Sequence, residues 1–279
     1  ALFILPLLLT ACDNDEIEMM PPYIFFTYDV DTYVMDLDNS DPADFTIKGS
    51  ISAQGLFKAF SMGDQELGRE DLGDDPNKAF ECNVAIKGKT TAFDVPFVLT
   101  DQMGNVVTKS FHFLTSAPIE ACQVTMGAQY NPYQGFFFSF KDQKVYSVTE
   151  MMKMTDPEGL CFGYNINKKQ PMFVSPTELI NQTILGDYKG NSISSFCEIV
   201  AFNNIPFTKA VFDNLKNDAF MRNLNPIEYG TYTSVSIAEG KSYLFKNEDD
   251  SLRGIVYVQS LESGVGGQVQ LTIKMQKVN

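Results

Sequence analysis

The sequence predicts a mainly β protein in which a β-sandwich is followed by an α+β domain with an antiparallel sheet and short helices. Short runs of alternating apolar and polar residues fill 23–116, and turn residues separate them. After residue 116 the pattern changes, because helix-like spacings appear between the strand-like runs. With 279 residues, the chain is long enough for two ordinary hydrophobic cores.

The first segment contains about seven short strand-like runs over roughly 95 residues, which fits an immunoglobulin-like sandwich. Asp101, Gly104 and Asn105 separate the last two runs and predict a hairpin turn. The chain has no tryptophan, so the Cys–Trp–Cys set of antibody domains is absent and only the architecture is implied. The clearest runs lie at 23–28, 45–51, 55–60, 80–86, 93–99 and 106–114.

The Ser-Ala-Pro sequence at 116–118 is the predicted boundary, so the second domain covers 119–279. Three helices are expected there, over 145–154, after Ser175 and over 208–221. Ser175 is placed as an N-cap because Pro176 and Glu178 suit positions N1 and N3. The predicted strands lie at 123–129, 135–140, 160–164, 252–260 and 268–276.

The N-terminal segment has the layout of a bacterial lipoprotein signal. An apolar run covers 1–9, Thr10 and Ala11 precede Cys12, and acidic or polar residues follow at once. This resembles a lipobox, in which the cysteine thiol receives the lipid. We therefore expect a signal remnant at 1–12, lipidation of Cys12 and a tether at 13–22. A short buried core element is the alternative.

The predicted location follows from that signal. A lipid-anchored protein is expected to contact the membrane through its lipid alone. The acidic run after Cys12 resembles a bacterial surface-export signal, and that resemblance implies a location at the outer membrane, facing the cell exterior. No other stretch approaches the roughly 18 apolar residues of a spanning helix.

Composition argues against several classes of function. The net charge of -14 disfavours nucleic acid as a partner. His112 is the single histidine, which excludes multi-histidine metal sites. The alternating run around it predicts an outward-facing strand residue, which argues against a catalytic triad with a histidine base. We expect no cofactor and no enzymatic activity.

Two questions stay open at the level of sequence. Cys82, Cys122, Cys161 and Cys197 form either disulfides or buried free thiols. The acidic stretch 29–44 is either a solvated loop or a calcium site, although it lacks the glycine and glutamate positions of an EF-hand.

The best ligand candidate is the aromatic turn that contains Tyr130, Asn131, Tyr133 and Gln134. Sugar sites combine aromatic faces with amide groups that bind hydroxyls. Tyr164 and Asn165 form a second, weaker version of the same combination. The alternative is a turn whose aromatic rings cover a sheet edge.

The sequence resembles two-domain surface lipoproteins of Bacteroidota. Residues 98–106 resemble the penultimate hairpin of their immunoglobulin-like modules, and the acidic run after Cys12 resembles their surface-export signal. Segments 127–131, 254–258 and 274–277 resemble their uncharacterised C-terminal domains. The anchor, the spacer-like first domain, the absence of catalytic motifs and the aromatic turn together predict a non-catalytic surface protein that binds an extracellular polymer, in particular a glycan. The alternative is a protein-interaction or adhesin subunit of an outer-membrane assembly, with a surface protein as its partner.

Overall fold

The computed structural model describes residues 20–38, 43–155, 157–179, 182, 184–185, 197–202, 207–225 and 230–277. These described residues are mainly β, with 51% strand and 11% helix, which confirms the predicted fold class. No helix in those ranges is long and apolar enough to cross a membrane. Cys12 and most of the predicted tether lie outside the described residues.

The described chain contains short strands with four short helices between them. In the N-terminal part the strands are β1 (Tyr23–Phe26), β2 (Thr32–Met35), β3 (Asp44–Ser52), β4 (Phe57–Met62), β5 (Gln65–Gly68), β6 (Asn77–Ala85), β7 (Phe93–Asp101) and β8 (Val106–Thr115), with α1 (Arg69–Leu72) after β5. The later strands are β9 (Ile119–Gly127), β10 (Phe137–Ser139), β11 (Lys144–Tyr146), β12 (Gly159–Asn165), β13 (Gln170–Val174), β14 (Cys197–Ala201), β15 (Ser234–Ser236), β16 (Ser242–Asn247), β17 (Arg253–Glu262) and β18 (Gln268–Gln276). The later helices are α2 (Val148–Met151), α3 (Lys209–Asn214) and α4 (Ala219–Asn223).

The strands form four sheets. Their orders are β1-β3-β6, β2-β8-β7-β4-β5, β11-β10-β12-β13-β15 and β14-β16-β17-β18-β9. Most pairs are antiparallel, and β2 is parallel to β8. The predicted boundary at 116–118 falls between β8 and β9, and the independent folding of 119–279 stays a prediction.

The chain divides into two compact units. The described part of the smaller unit comprises 20–27, 46–82 and 95–110. Its core is a cluster of phenylalanine rings from facing sheets. Phe26 lies 5.1 Å from Phe97, and Phe60 lies 5.1 Å from Phe80, between ring centroids. Alternation along the strands places these rings on the inner face.

The larger unit comprises 28–38, 43–45, 83–94 and the described residues after 110. Two of its five-stranded sheets face each other, because Phe140 stacks on Phe245 with 4.5 Å between ring centroids. Phe173 meets Tyr243 edge-on across the same layer, at 5.5 Å. The other face of the β14–β9 sheet is covered by α3 and α4, which bury Phe212 and Met221.

The prediction of one helix over 208–221 was wrong. Thr208 does cap α3, because its hydroxyl accepts a hydrogen bond from the Val211 N–H. The helix then ends, and Lys274 donates to the carbonyls of Phe212 and Asp213 in its last turn and of Leu215 at its C-cap. Contacts with distant residues therefore replace the helical hydrogen bonds that the local pattern predicted.

Two other predicted helices are shorter than expected. Within 145–154 only α2 is α-helical, and Ser147 caps it through a capping box with Glu150. The residues before it belong to β11, which pairs with β10. Ser175 precedes a single 3-10 turn, Pro176–Glu178, and its hydroxyl accepts from the N–H of Cys197 and does not cap the turn.

Candidate functional site: the tyrosine loop

The exposed aromatic turn, here called the tyrosine loop, comprises residues 128–135 between β9 and β10. Its ends are joined by a hydrogen bond of 2.7 Å from the N–H of Gly127 to the carbonyl of Gly135. A Cβ atom at Gly127 would lie 2.4 Å from the Cβ of Asn131 and 2.9 Å from the carbonyl oxygen of Gln134. Glycine is therefore required where the loop folds back on the strand.

Asn131 fixes the backbone of the tyrosine loop. Its Oδ1 accepts hydrogen bonds of 2.9 Å from the N–H groups of Tyr133 and Gln134. Its Nδ2 donates to the carbonyls of Gly266 and Gly267 at 2.9 and 3.1 Å. The Asn131 amide is thus committed to the protein, and its role is to hold the loop in shape.

The tyrosine loop also rests on the neighbouring turn at 263–267. The N–H of Ala128 donates to Gly267, and the N–H of Tyr130 donates to Val265, both at 2.9 Å. β9 and β18 are paired up to the Gly127–Gln268 position, so the two loops emerge side by side. Sequence reasoning missed this second loop, since nothing local indicates that 263–267 would neighbour 128–135.

The two predicted tyrosines are the most exposed aromatic side chains of the described chain. Tyr130 is 64% exposed and Tyr133 is 89% exposed. Both rings are therefore accessible to a ligand and contribute little to the hydrophobic core. Gln134 is half-buried, and its side-chain amide makes no hydrogen bond within the described residues.

Tyr164 and Asn165 lie beneath the loop and differ from the exposed pair. The side-chain amide of Gln129 donates to the Tyr164 carbonyl at 2.7 Å and accepts from the Tyr164 N–H at 2.9 Å. Asn165 is buried, and its Nδ2 donates to the Gln182 carbonyl at 2.7 Å. The structure therefore joins Tyr164 to the loop through Gln129 and turns the Asn165 amide inward. Gln129 was missed because a lone glutamine gives no sequence signal.

The acidic stretch has structural contacts in the described part of its range. Asn217 donates to Oδ1 of Asp36 and to Oδ2 of Asp38, at 2.5 and 2.8 Å. Within the described residues, no group of three or more metal-ligating side chains gathers. His112 lies on the outer part of β8, with its Nδ1 atom 2.8 Å from Asp94.

The four described cysteines are free thiols. Cys82, Cys161 and Cys197 are buried, and Cys122 is half-buried. Burial raises the pKa of Cys197 to about 12 and raises that of Cys161 well above its usual value. Such thiols are poor nucleophiles, because the reactive form is the thiolate.

Comparison with known proteins gives one structural similarity. No protein-family model matches the chain, and no curated protein matches it. The chain is similar to a DUF4466 family protein from Parabacteroides merdae, a member of the Bacteroidota, with 8% identity and a TM-score of 0.41. The similarity covers 92% of this chain and 98% of that one.

Proposed function

We propose that the protein is a non-catalytic cell-surface lipoprotein that binds an extracellular glycan through the tyrosine loop. Tyr130 and Tyr133 stack on the apolar faces of sugar rings, and the Gln134 amide binds a hydroxyl. The observation that carries the proposal is the exposure of two tyrosine rings, 64% and 89%, on a loop with a fixed backbone.

Preorganisation is the physical reason why such a loop suits binding. Ordering a flexible loop on association costs free energy, and a loop already held by its own hydrogen bonds avoids that cost. Asn131 and Gly127 hold the backbone here. Each tyrosine also offers a flat apolar face with a polar hydroxyl at its end, which is the combination that sugars require.

The charge of the chain favours an uncharged glycan. A net charge of -14 repels polyanions at long range, so sulfated or strongly acidic polysaccharides would bind against an unfavourable field. A neutral polymer has no such penalty. The attraction then depends on stacking and hydrogen bonds, and it should vary little with salt.

A protein partner is the second candidate, and the same exposed rings favour it. Tyrosine is enriched at the energetically dominant positions of protein interfaces. Val265, which lies on the adjacent turn, adds an exposed apolar side chain to the loop. In this case the protein would be an interaction or adhesin subunit of an outer-membrane assembly.

The anchor is tested separately from the ligand. Cys12→Ser should abolish incorporation of labelled fatty acid, since a hydroxyl does not replace the thiol in lipid transfer. Unchanged labelling in that variant would rule the lipoprotein assignment out while leaving the tyrosine loop untouched.

The ligand is tested by affinity electrophoresis through gels that contain soluble starch, xylan, mannan, laminarin or galactan. The parent protein should be retarded in at least one neutral polysaccharide, and the double variant Tyr130→Ala/Tyr133→Ala should migrate freely. Tyr232→Ala is the matched control, because Tyr232 is 52% exposed on a different segment. If no polysaccharide retards the parent protein, the glycan proposal fails and a protein partner becomes the favoured alternative.

A further inference from the structure

A cavity of about 680 Å³ lies entirely within the larger unit. Its walls come from the segments 29–34, 222–225 and 250–253, with Gln276 at one side. Its volume falls within the range of roughly 300–1,000 Å³ that small-ligand sites occupy. It is formed by different residues from those of the tyrosine loop.

The walls of this cavity are held rigidly by internal hydrogen bonds. Arg253 makes a bidentate pair with Asp250, at 2.6 Å for each contact, and its Nη1 donates to the carbonyls of Met221, Arg222 and Leu224. The Asn223 amide pairs with the N–H and carbonyl of Val34, at 2.7 and 2.8 Å. These groups are satisfied within the protein, so they shape the cavity and do not contact a ligand directly.

The backbone is strained at the same place. Asp29 and Asp250 both line the cavity and both have positive φ, at 54° and 60°. Tyr28, next to Asp29, has φ of 58°. Left-handed backbone at a residue other than glycine costs free energy and is concentrated at functional sites.

The walls of the cavity offer both a hydrogen-bond donor and a hydrogen-bond acceptor to a ligand. The Arg222 guanidinium has Asp218 at 3.7 Å, beyond hydrogen-bond distance, and Asp218 already accepts from the Ala117 N–H and from Gln276. Within the described residues no hydrogen bond engages the Arg222 guanidinium, so its donors remain for a ligand. Asp31 uses its Oδ1 to accept from the Thr32 hydroxyl at 3.0 Å, which orients the carboxylate and leaves its Oδ2 as an acceptor.

The charge balance selects among ligand classes. Arg253 and Asp250 neutralise each other, and Arg222 lies beside the buried Asp218. The carboxylate of Asp31 then leaves the walls net negative, which disfavours phosphates and other polyanions. Such polar walls also disfavour an apolar ligand, because it would remove water from their charged groups without offering hydrogen bonds in return.

We propose that this cavity is a second binding site, which takes a short neutral saccharide with Arg222 as donor and Asp31 as acceptor. A sugar carries many hydroxyls, each both donor and acceptor, so it matches walls that offer both. The site is separate from the tyrosine loop and goes beyond the function proposed for it.

The test is calorimetric titration of the purified protein with maltotriose, cellotriose, xylotriose, mannotriose and chitotriose. At least one should bind saturably, and Asp31→Asn and Arg222→Gln should each weaken that binding about tenfold or more. Glu66→Gln removes an exposed carboxylate elsewhere and should change nothing. Melting curves check that each variant is folded. If Arg222→Gln does not fold, the affinity of Asp31→Asn for the trisaccharide tests the proposal by itself.

Three outcomes would overturn the proposal. The first is that none of the five trisaccharides binds saturably. The second is that Asp31→Asn binds the trisaccharide as tightly as the parent protein does. The third is that the parent protein binds inorganic phosphate or glycine more tightly than any trisaccharide. The double variant Tyr130→Ala/Tyr133→Ala separates the two sites. This double variant should still bind the trisaccharide in the cavity, even if it no longer binds polysaccharide. If it loses trisaccharide and polysaccharide binding while the cavity variants keep both, all binding belongs to the tyrosine loop.

Discussion

The side-chain amide of Gln129 pairs with the backbone of Tyr164, with hydrogen bonds of 2.7 Å to the carbonyl and 2.9 Å from the N–H. In this arrangement a side chain supplies the donor and acceptor that a neighbouring strand would normally provide. It joins the start of the tyrosine loop to β12, and Gln129 is buried. The exposed tyrosines thus stand on a base that the core of the larger unit supports.

Gln129→Ala should destabilise the protein by about 1–3 kcal/mol, because it leaves two backbone groups of Tyr164 without partners. Urea unfolding measures the loss. Gln134→Ala is the matched control, since Gln134 lies in the same loop and should change the free energy of unfolding by less than about 0.5 kcal/mol. Equal stability of the two variants would show that the Gln129 pairing contributes little.

Gly127→Ala should both destabilise the protein and weaken glycan binding. The added Cβ would lie 2.4 Å from the Asn131 Cβ, so the loop must move. Overpacking of this kind costs about 1–3 kcal/mol. Gly266→Ala is the control, because a Cβ atom there would lie 3.9 Å from the Tyr130 carbonyl oxygen, an ordinary van der Waals distance. Thermal melting and a binding titration of both variants measure stability and glycan affinity. A Gly127→Ala variant with the parent's melting temperature and affinity would contradict the prediction.

Two lysines near the C-terminus should differ in their contribution to stability. Lys274 donates to three carbonyls at the end of α3, at 2.8, 2.9 and 2.9 Å, whereas Lys277 forms one exposed ion pair with Glu120 at 3.5 Å. Lys274→Met should cost about 1–3 kcal/mol, and Lys277→Met less than about 1 kcal/mol. Chemical denaturation of both variants measures this, and the reverse order would contradict the capping role of Lys274.

The cysteines should react with iodoacetamide in a defined order. Cys122 is half-buried, so it should be labelled first in the native protein. Burial raises the pKa of Cys197 to about 12, so near pH 8 its thiolate is scarce and its labelling should require unfolding. Mass spectrometry of native and urea-treated samples locates the label. Rapid native labelling of Cys197 would contradict its buried position.

Strands were easier to predict from this sequence than helices. The closing hairpin, β17 and β18, follows its pattern because Val269, Leu271 and Ile273 alternate with polar residues and all three are buried. The hairpin turn between β7 and β8 was also found, since Asp101 and Asn105 carry its hydrogen bonds locally. Where the determining contacts are close in sequence, pattern and structure agree.

Errors arose where contacts distant in sequence decide the structure. β2 was missed because the backbone of Val34 is bound by the amide of Asn223, 189 residues further along. The predicted helix over 208–221 breaks where Lys274 donates to the carbonyls at the end of α3. The tyrosine loop was located from its residues, but the roles of Asn131 and Gln129 in holding it could be seen only in the structure.

The most direct test of the account is a calorimetric titration of Tyr133→Ala with a polysaccharide that retards the parent protein. Loss of an aromatic platform at a binding hot spot costs about 2 kcal/mol or more, so affinity should fall by roughly thirtyfold. The melting temperature should stay that of the parent, because Tyr133 is 89% exposed, and Tyr232→Ala should change neither property. A folded Tyr133→Ala with parental affinity would contradict the proposal, as would a large fall in its melting temperature.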